Sequence, residues 1–316
     1  MQRFRNILLV YDDTEQVKLT LERAVNLATR NQARLTIISV IEEIPRDYKM
    51  LITALHPQEI MKRAVKKQNE RLEQYIAPLL EAGLRVNAKV LVGKEFIEII
   101  REVLRNNHDL VIKVARGKGG VRDILFGSTA MHLMRKCPCP VLVMKPGRGR
   151  RYYRILAAVD VTSADAKGNT LNTKIMDTAI SLANLDNSDL HIIHTWDNPF
   201  EHFLRDEVAA SHGETEKWKN ETRKLLKRNL HDFLKKYPLA KVKHSVHLLK
   251  GRAGEVITQL VNKKRINLIV LGTLCRTGIP GFFIGNTAEK VLHRVNCSVL
   301  TVKPEGFVTP VTLDEA

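Results

Sequence analysis

The chain has 316 residues, 44% of them hydrophobic and 27% charged, which is enough for two domains that each bury a core. Four cysteines (Cys137, Cys139, Cys275 and Cys297), none in a Cys-x-x-Cys pair, exclude a disulfide scaffold and a zinc ribbon. The 51 Lys and Arg outnumber 34 Asp and Glu, and the net charge of +17 favours polyanions such as RNA. Aromatic residues make up only 5% of the chain and are scattered, unlike the stacking platforms of nucleic-acid specialists.

The first apolar run, 6–11, stops at Asp12-Asp13 and is too short for an export signal. No later run approaches the ~20 apolar residues of a membrane span, so a cytoplasmic location without membrane contact is expected. A helical pattern over 15–30 follows, then an apolar run at 34–40, a helix at 57–82 and runs at 85–92, 109–115 and 139–145. Helical patterns over 95–106 and 128–136 separate the last three runs. All five runs are rich in Val, Ile and Leu, as strands buried on both faces should be. Residues 147–153 are basic, contain glycine and lack apolar periodicity, and so read as a linker between domains at 1–146 and 154–316. The second domain repeats the scheme, with strands near 154–160, 189–196, 241–250, 267–273 and 297–303.

The repetition extends to residues. Ile7-Leu-Leu-Val-Tyr-Asp12 returns as Ile155-Leu-Ala-Ala-Val-Asp160, and Phe126-Gly-Ser-Thr-Ala130 as Ile284-Gly-Asn-Thr-Ala288. Cys139-Pro-Val-Leu-Val-Met-Lys-Pro146 returns as Cys297-Ser-Val-Leu-Thr-Val-Lys-Pro304. The period is a whole domain, so the chain is a duplication and not a solenoid. Alternating strands and helices imply an α/β fold: two tandem doubly wound, Rossmann-like parallel sheets with right-handed crossovers. In such sheets ligands sit at the carboxyl ends of the strands, beside the switch in strand order.

Asp12 and Asp160 close the first strands, where a carboxylate accepts either a ribose hydroxyl or its own Asx-turn amide. The fourth strands run into glycine-containing loops: Val114-Ala-Arg-Gly117 leads to Gly127-Ser128, and Gly272-Thr-Leu-Cys275-Arg276 leads to Gly285-Asn286-Thr287. A glycine before a helix N-terminus leaves backbone N–H groups for an anion.

The spacing Gly-x2-Gly-x9-Gly-Ser/Thr, the Asp after the first strand and the closing Cys-Pro-Val-Leu-Val strand resemble the universal stress protein family in its tandem form. The resemblance covers nearly the whole chain and implies a non-catalytic binding or regulatory module of stress adaptation. Some members bind ATP, with Mg accompanying it, in the loop described; many do not. It also implies that the fifth strands, Val141–Met144 and Val299–Val302, pair with each other within one chain. Further homo-oligomers and binding to RNA or another polyanion stay open.

Carried over by motif, the nucleotide-contacting positions are Asp12, Gly117, Gly127 and Ser128 in the first copy. In the second they are Asp160, Thr162, Gly272, Cys275, Arg276, Gly285, Asn286 and Thr287. Each set departs from the motif. Val114 replaces the first glycine of one loop, and Cys275 replaces the middle glycine of the other, where a side chain obstructs phosphate. A weak ATPase using Asp160, Gly272 and Gly285 is the enzymatic alternative.

No P-loop, Gly-x-Ser-x-Gly or His-Glu-x-x-His sequence occurs. His191 and His194, like His244 and His247, are three apart on expected strands and point to opposite faces, so no metal site is expected. Lys62, Arg63, Lys66, Lys67 and Arg71 read as a solvated helix face. Cys139 and Cys297 are expected to be buried and inert, with Cys137 and Cys275 more exposed.

Overall fold

The computed structural model describes residues 4–12, 17–43, 57–115, 126–145, 151–162, 166–197, 212–273 and 284–313. In the first copy the strands are β1 (Asn6–Val10), β2 (Arg34–Ile41), β3 (Val86–Val92), β4 (Leu110–Val114) and β5 (Val141–Met144). Its helices are α1 (Val17–Asn31), α2 (Pro57–Glu81), α3 (Glu95–Asn106) and α4 (Ser128–Lys136). The second copy has β6 (Arg154–Ala158), β7 (Asp189–Trp196), β8 (His244–Lys250), β9 (Leu268–Gly272) and β10 (Ser298–Val302). Its helices are α5 (Ala166–Asp186), α6 (His212–Leu234), α7 (Ala253–Lys263) and α8 (Asn286–Arg294).

All ten strands form one sheet in the order β3-β2-β1-β4-β5-β10-β9-β6-β7-β8. Every neighbouring pair is parallel except β5 and β10, which run antiparallel at the centre. The order reads alike from either edge, so the copies are related by a pseudo-twofold axis through this pair. Leu142 lies opposite Leu300 and Val143 opposite Val299, and all four are fully buried. Two five-stranded sheets would each expose an apolar edge here; joining them removes both.

Pleating sends alternate residues to opposite faces. Ile7 and Leu9 enter a core shared with α1, α2, α5 and α6, while Leu8 and Val10 enter a second core with α3, α4, α7 and α8. Each core runs through both copies. The helices also end alike: Gln32 and Asn187 follow α1 and α5 in the left-handed region, and Asn107 and Arg265 do so near the ends of α3 and α7.

Side chains stitch the copies together beyond the strand pair. Arg23 of α1 meets Asp186 of α5 at 2.7 Å with both side chains buried, and Arg135 of α4 pairs with Glu289 of α8. Lys303, just after β10, donates to the carbonyl of Met134 in α4 at 2.6 Å and to Thr273 Oγ1. The burial of Lys303 pushes its pKa down to about 7.

Among the cysteines, Cys297 is buried as expected, but Cys137 and Cys139 exchange roles. Cys137 closes α4 with its N–H on Leu133 and packs inward in the second core. Cys139, displaced past Pro138, is only half-buried, with its sulfur 3.5 Å from that of Cys137. No described helix is long and apolar enough to cross a membrane.

Candidate functional site

The switch in strand order falls between β1 and β4 in one copy and between β6 and β9 in the other. Both expected clefts therefore open at the carboxyl ends of these strands.

In the first copy the chain's own side chains fill the cleft. Asp12 is almost wholly buried and accepts from Lys113 Nζ at 2.9 Å. Lys113, on β4 and 2% exposed, also donates to Glu95 Oε1 at 2.8 Å. The other Glu95 oxygen accepts from Thr129 Oγ1 at 2.6 Å, in the first turn of α4. A buried cation is thus shared by two carboxylates, and the hydroxyl beside the helix N-terminus is already engaged. Gly127 caps α4 at φ −61° and ψ 164°, and Ser128 is the first helical residue. Tyr11 packs against Tyr75 of α2 with ring centres 5.3 Å apart. Among the described residues, the cavity beside Asp12 and Val114 measures about 10 Å³, room for little more than a water. Among the described residues, Asp12 is thus committed to Lys113 and is not offered to a ribose hydroxyl. Gly117 lies outside the described residues.

The second copy is arranged differently. The Asp160 side chain is 47% exposed, and its Oδ1 accepts from the backbone N–H of Thr162 at 3.0 Å, which is the Asx-turn. Asn172 of α5 clamps the Asp160 backbone, accepting from its N–H at 3.0 Å and donating to its carbonyl at 2.6 Å. Gly285 caps α8 at φ −63°, with Asn286 and Thr287 as the first helical residues. Gly272 lies directly under Leu171 of α5: a Cβ there would come within 2.6 Å of Leu171 Cδ2. Its lack of a side chain thus serves helix–sheet packing. Cys275 and Arg276 lie outside the described residues. The second copy keeps an accessible carboxylate and a helix N-terminus, and so fits a nucleotide in part.

Lys113 and Glu95 escape a motif search. A signal was nevertheless present: Lys113 is the one charge in Leu110-Val-Ile-Lys-Val114, a strand otherwise apolar, and its counterpart in the second copy is Leu271.

The histidines face opposite ways, as alternation requires. His194 Nδ1 lies 3.3 Å from the Val159 carbonyl, and burial lowers its pKa, so it is neutral beside Asp160 at pH 7. His191 Nδ1 meets His247 Nε2 on the neighbouring strand at 3.0 Å. Burial lowers both pKa values; His247 and Lys264 lower that of His191 further, and Lys264 lowers that of His247. The unfolded chain then binds more protons below pH ~6.5, so native stability falls as the pH drops through that value. His247→Gln should shrink the loss in Tm between pH 7.5 and 5.5; an unchanged loss would rule this pair out as its source. No cluster of three or more metal-ligating side chains occurs among the described residues. Lys62, Arg63, Lys66 and Lys67 are exposed on α2, with Arg63 3.9 Å from Glu59 and Lys66 4.0 Å from Glu70, as a solvated face.

Comparison with known proteins agrees with this architecture. The chain is 29% identical to universal stress protein E of Photorhabdus laumondii, over 98% of each chain. It is 27% identical to universal stress protein E of Escherichia coli, over 100% of this chain and 99% of that one. In fold it is similar to a putative universal stress protein from Pseudomonas aeruginosa, with a TM-score of 0.74 at 24% identity over 97% of this chain and 95% of that one. The model of the universal stress protein family matches twice, over residues 3–145 and 151–303, and the chain belongs to that family with two copies of its domain in tandem.

Proposed function

We propose that this tandem protein is a non-catalytic binding module of stress adaptation in which only the second copy contacts nucleotide. The contrast between the two aspartates carries the reading. The Asp12 side chain is 1% exposed and held by Lys113, whereas that of Asp160 is 47% exposed at the same place in the fold. Nucleotide binding in the first copy would have to break a buried ion pair, which costs about 3–5 kcal/mol. In the second copy Asp160 would take a ribose hydroxyl, and the α8 N-terminus at Gly285 and Asn286 would face phosphate. Leu171 above Gly272 limits how closely the ligand approaches, so weak affinity is expected.

Calorimetric titration with ATP-Mg should show a weak binding event that depends on Asp160, its affinity reduced at least about tenfold in Asp160→Ala. No phosphate release above a blank should accompany it. ATP-Mg binding left unchanged by Asp160→Ala would overturn the assignment to the second copy, no binding would overturn the nucleotide reading, and turnover would overturn the non-catalytic one.

A further inference from the structure

At the opposite end of the first copy, away from both clefts, three arginines meet. Arg5 precedes β1, Arg34 opens β2 and Arg85 precedes β3. Their backbones are bonded in sequence: Arg34 N–H donates to the Arg5 carbonyl at 2.8 Å and Leu35 N–H to the Arg85 carbonyl at 2.9 Å. The three therefore stand on adjacent strand ends, spaced by about 4.8 Å per strand. With Asn6 and Gln32 they line a concavity of about 440 Å³, within the usual range of about 300–1,000 Å³ for small-molecule sites. All three are exposed, and among the described residues none is in an ion pair with a carboxylate. Arg85 spends one donor on the Gln32 carbonyl, leaving four of the five on its fork. The nearby Asp109 turns both oxygens to the backbone N–H groups of Arg5 and Asn6 and lines no part of the concavity.

The duplication supplies an internal control. The same backbone bonds join Tyr153, Asp189 and Lys243 in the second copy: Asp189 N–H donates to Tyr153 at 2.9 Å and Leu190 N–H to Lys243 at 2.8 Å. There Lys243 is neutralised by Asp189 at 2.9 Å, and a tyrosine stands in place of Arg5. One scaffold thus carries a self-compensated corner in one copy and three like charges in the other. Three like charges on one rim give a local positive potential that favours a multiply charged anion.

We propose that Arg5, Arg34 and Arg85 form a binding site for an oligophosphate chain. Guanidinium forks match phosphate oxygens two at a time, and three of them require a ligand with several charges. The lining holds no aromatic ring to stack a base and no apolar side chain to cover a carbon skeleton, so the phosphate chain itself is what is recognised. The site lies at the amino ends of the strands and is independent of the nucleotide reading for the second copy.

The test is titration of the full chain with inorganic tripolyphosphate, ATP and orthophosphate, without Mg, at low and moderate salt. Tripolyphosphate and ATP should bind about equally and orthophosphate far more weakly, with affinity falling steeply as salt rises. Each of Arg5→Gln, Arg34→Gln and Arg85→Gln should weaken tripolyphosphate several-fold, and the triple variant should abolish it. Asp160→Ala should leave it unchanged, which separates this site from the second-copy cleft, and so should Arg154→Gln at the amino end of β6, which separates it from the equivalent corner of the second copy. Absence of tripolyphosphate binding, or binding indifferent to the three arginines, would overturn the proposal. So would a clear preference for ATP, which needs contacts to the base, or for an RNA oligonucleotide, which needs a longer surface.

Discussion

Asp186→Ala should destabilise the chain by about 3–5 kcal/mol, because it strands a buried guanidinium without its carboxylate. Arg23 is fully buried, sits 4.7 Å over the ring of Tyr152 and reaches Asp186 Oδ1 at 2.7 Å. The second Asp186 oxygen accepts from the Tyr152 N–H at 2.9 Å, so one carboxylate ties α1 of the first copy to the entry of the second. Desolvation offsets most of the attraction of such a pair, and the destabilisation comes from leaving one member behind. Arg23→Met combined with Asp186→Leu should therefore recover part of the lost stability, short of full recovery because the Tyr152 N–H loses its acceptor. Urea denaturation of the three variants decides it. A loss below about 1 kcal/mol in Asp186→Ala would place this pair with ordinary surface bridges.

Replacing Lys303 should change how stability depends on pH. In the folded chain this amine loses its proton at about pH 7, against an ordinary value of 10.5. Between those values the unfolded chain holds more protons, so the stability of the wild type rises with pH at up to about 1.4 kcal/mol per unit. Below pH 7 the native state carries the full cost of a buried cation, about 5 kcal/mol for such a shift. Lys303→Met removes that cost but leaves the Met134 carbonyl and Thr273 hydroxyl without their donor, a penalty of about 1–3 kcal/mol. The variant should be more stable than wild type at pH 6 by about 2–4 kcal/mol, with the difference falling through zero between about pH 8 and 10 and reversing above that. The titrating histidines act below this window. The Tyr152 and Tyr237 hydroxyls, whose pKa values burial raises, act above it. Parallel stability curves for the two proteins between pH 7 and 10 would show that Lys303 keeps its proton throughout.

The strands were legible because each is a short run of branched apolar residues bounded by polar or glycine positions. The expected run at 189–196 matches β7, and 34–40 differs from β2 by one residue. The helix over 95–106 is α3 to the residue, since its apolar positions fall on one face. Pairing of β5 with β10 was implied by the family resemblance, and their apolar residues, costly to leave on a bare edge, agreed with it. The motif search was least informative where residues act through distant partners. It found Asp12 and Asp160 as equivalents, yet their environments differ because Lys113 lies 101 positions from Asp12, on the neighbouring strand. The reversal of Cys137 and Cys139 arose likewise from how α4 ends against Pro138.

The sequence by itself thus determined the class of fold, the duplication and the places where ligands would be sought, since these rest on periodicity and on neighbours along the chain. Tertiary structure alone decided how the two aspartates at those places differ, one held by a buried lysine and the other half exposed. A side chain's protonation, burial and reach depend on what the sheet brings beside it, and that is set by strands far apart in sequence. Lys113 holds Asp12, Leu171 packs over Gly272, and Arg5, Arg34 and Arg85, unremarkable along the chain, become neighbours only when β1, β2 and β3 pair.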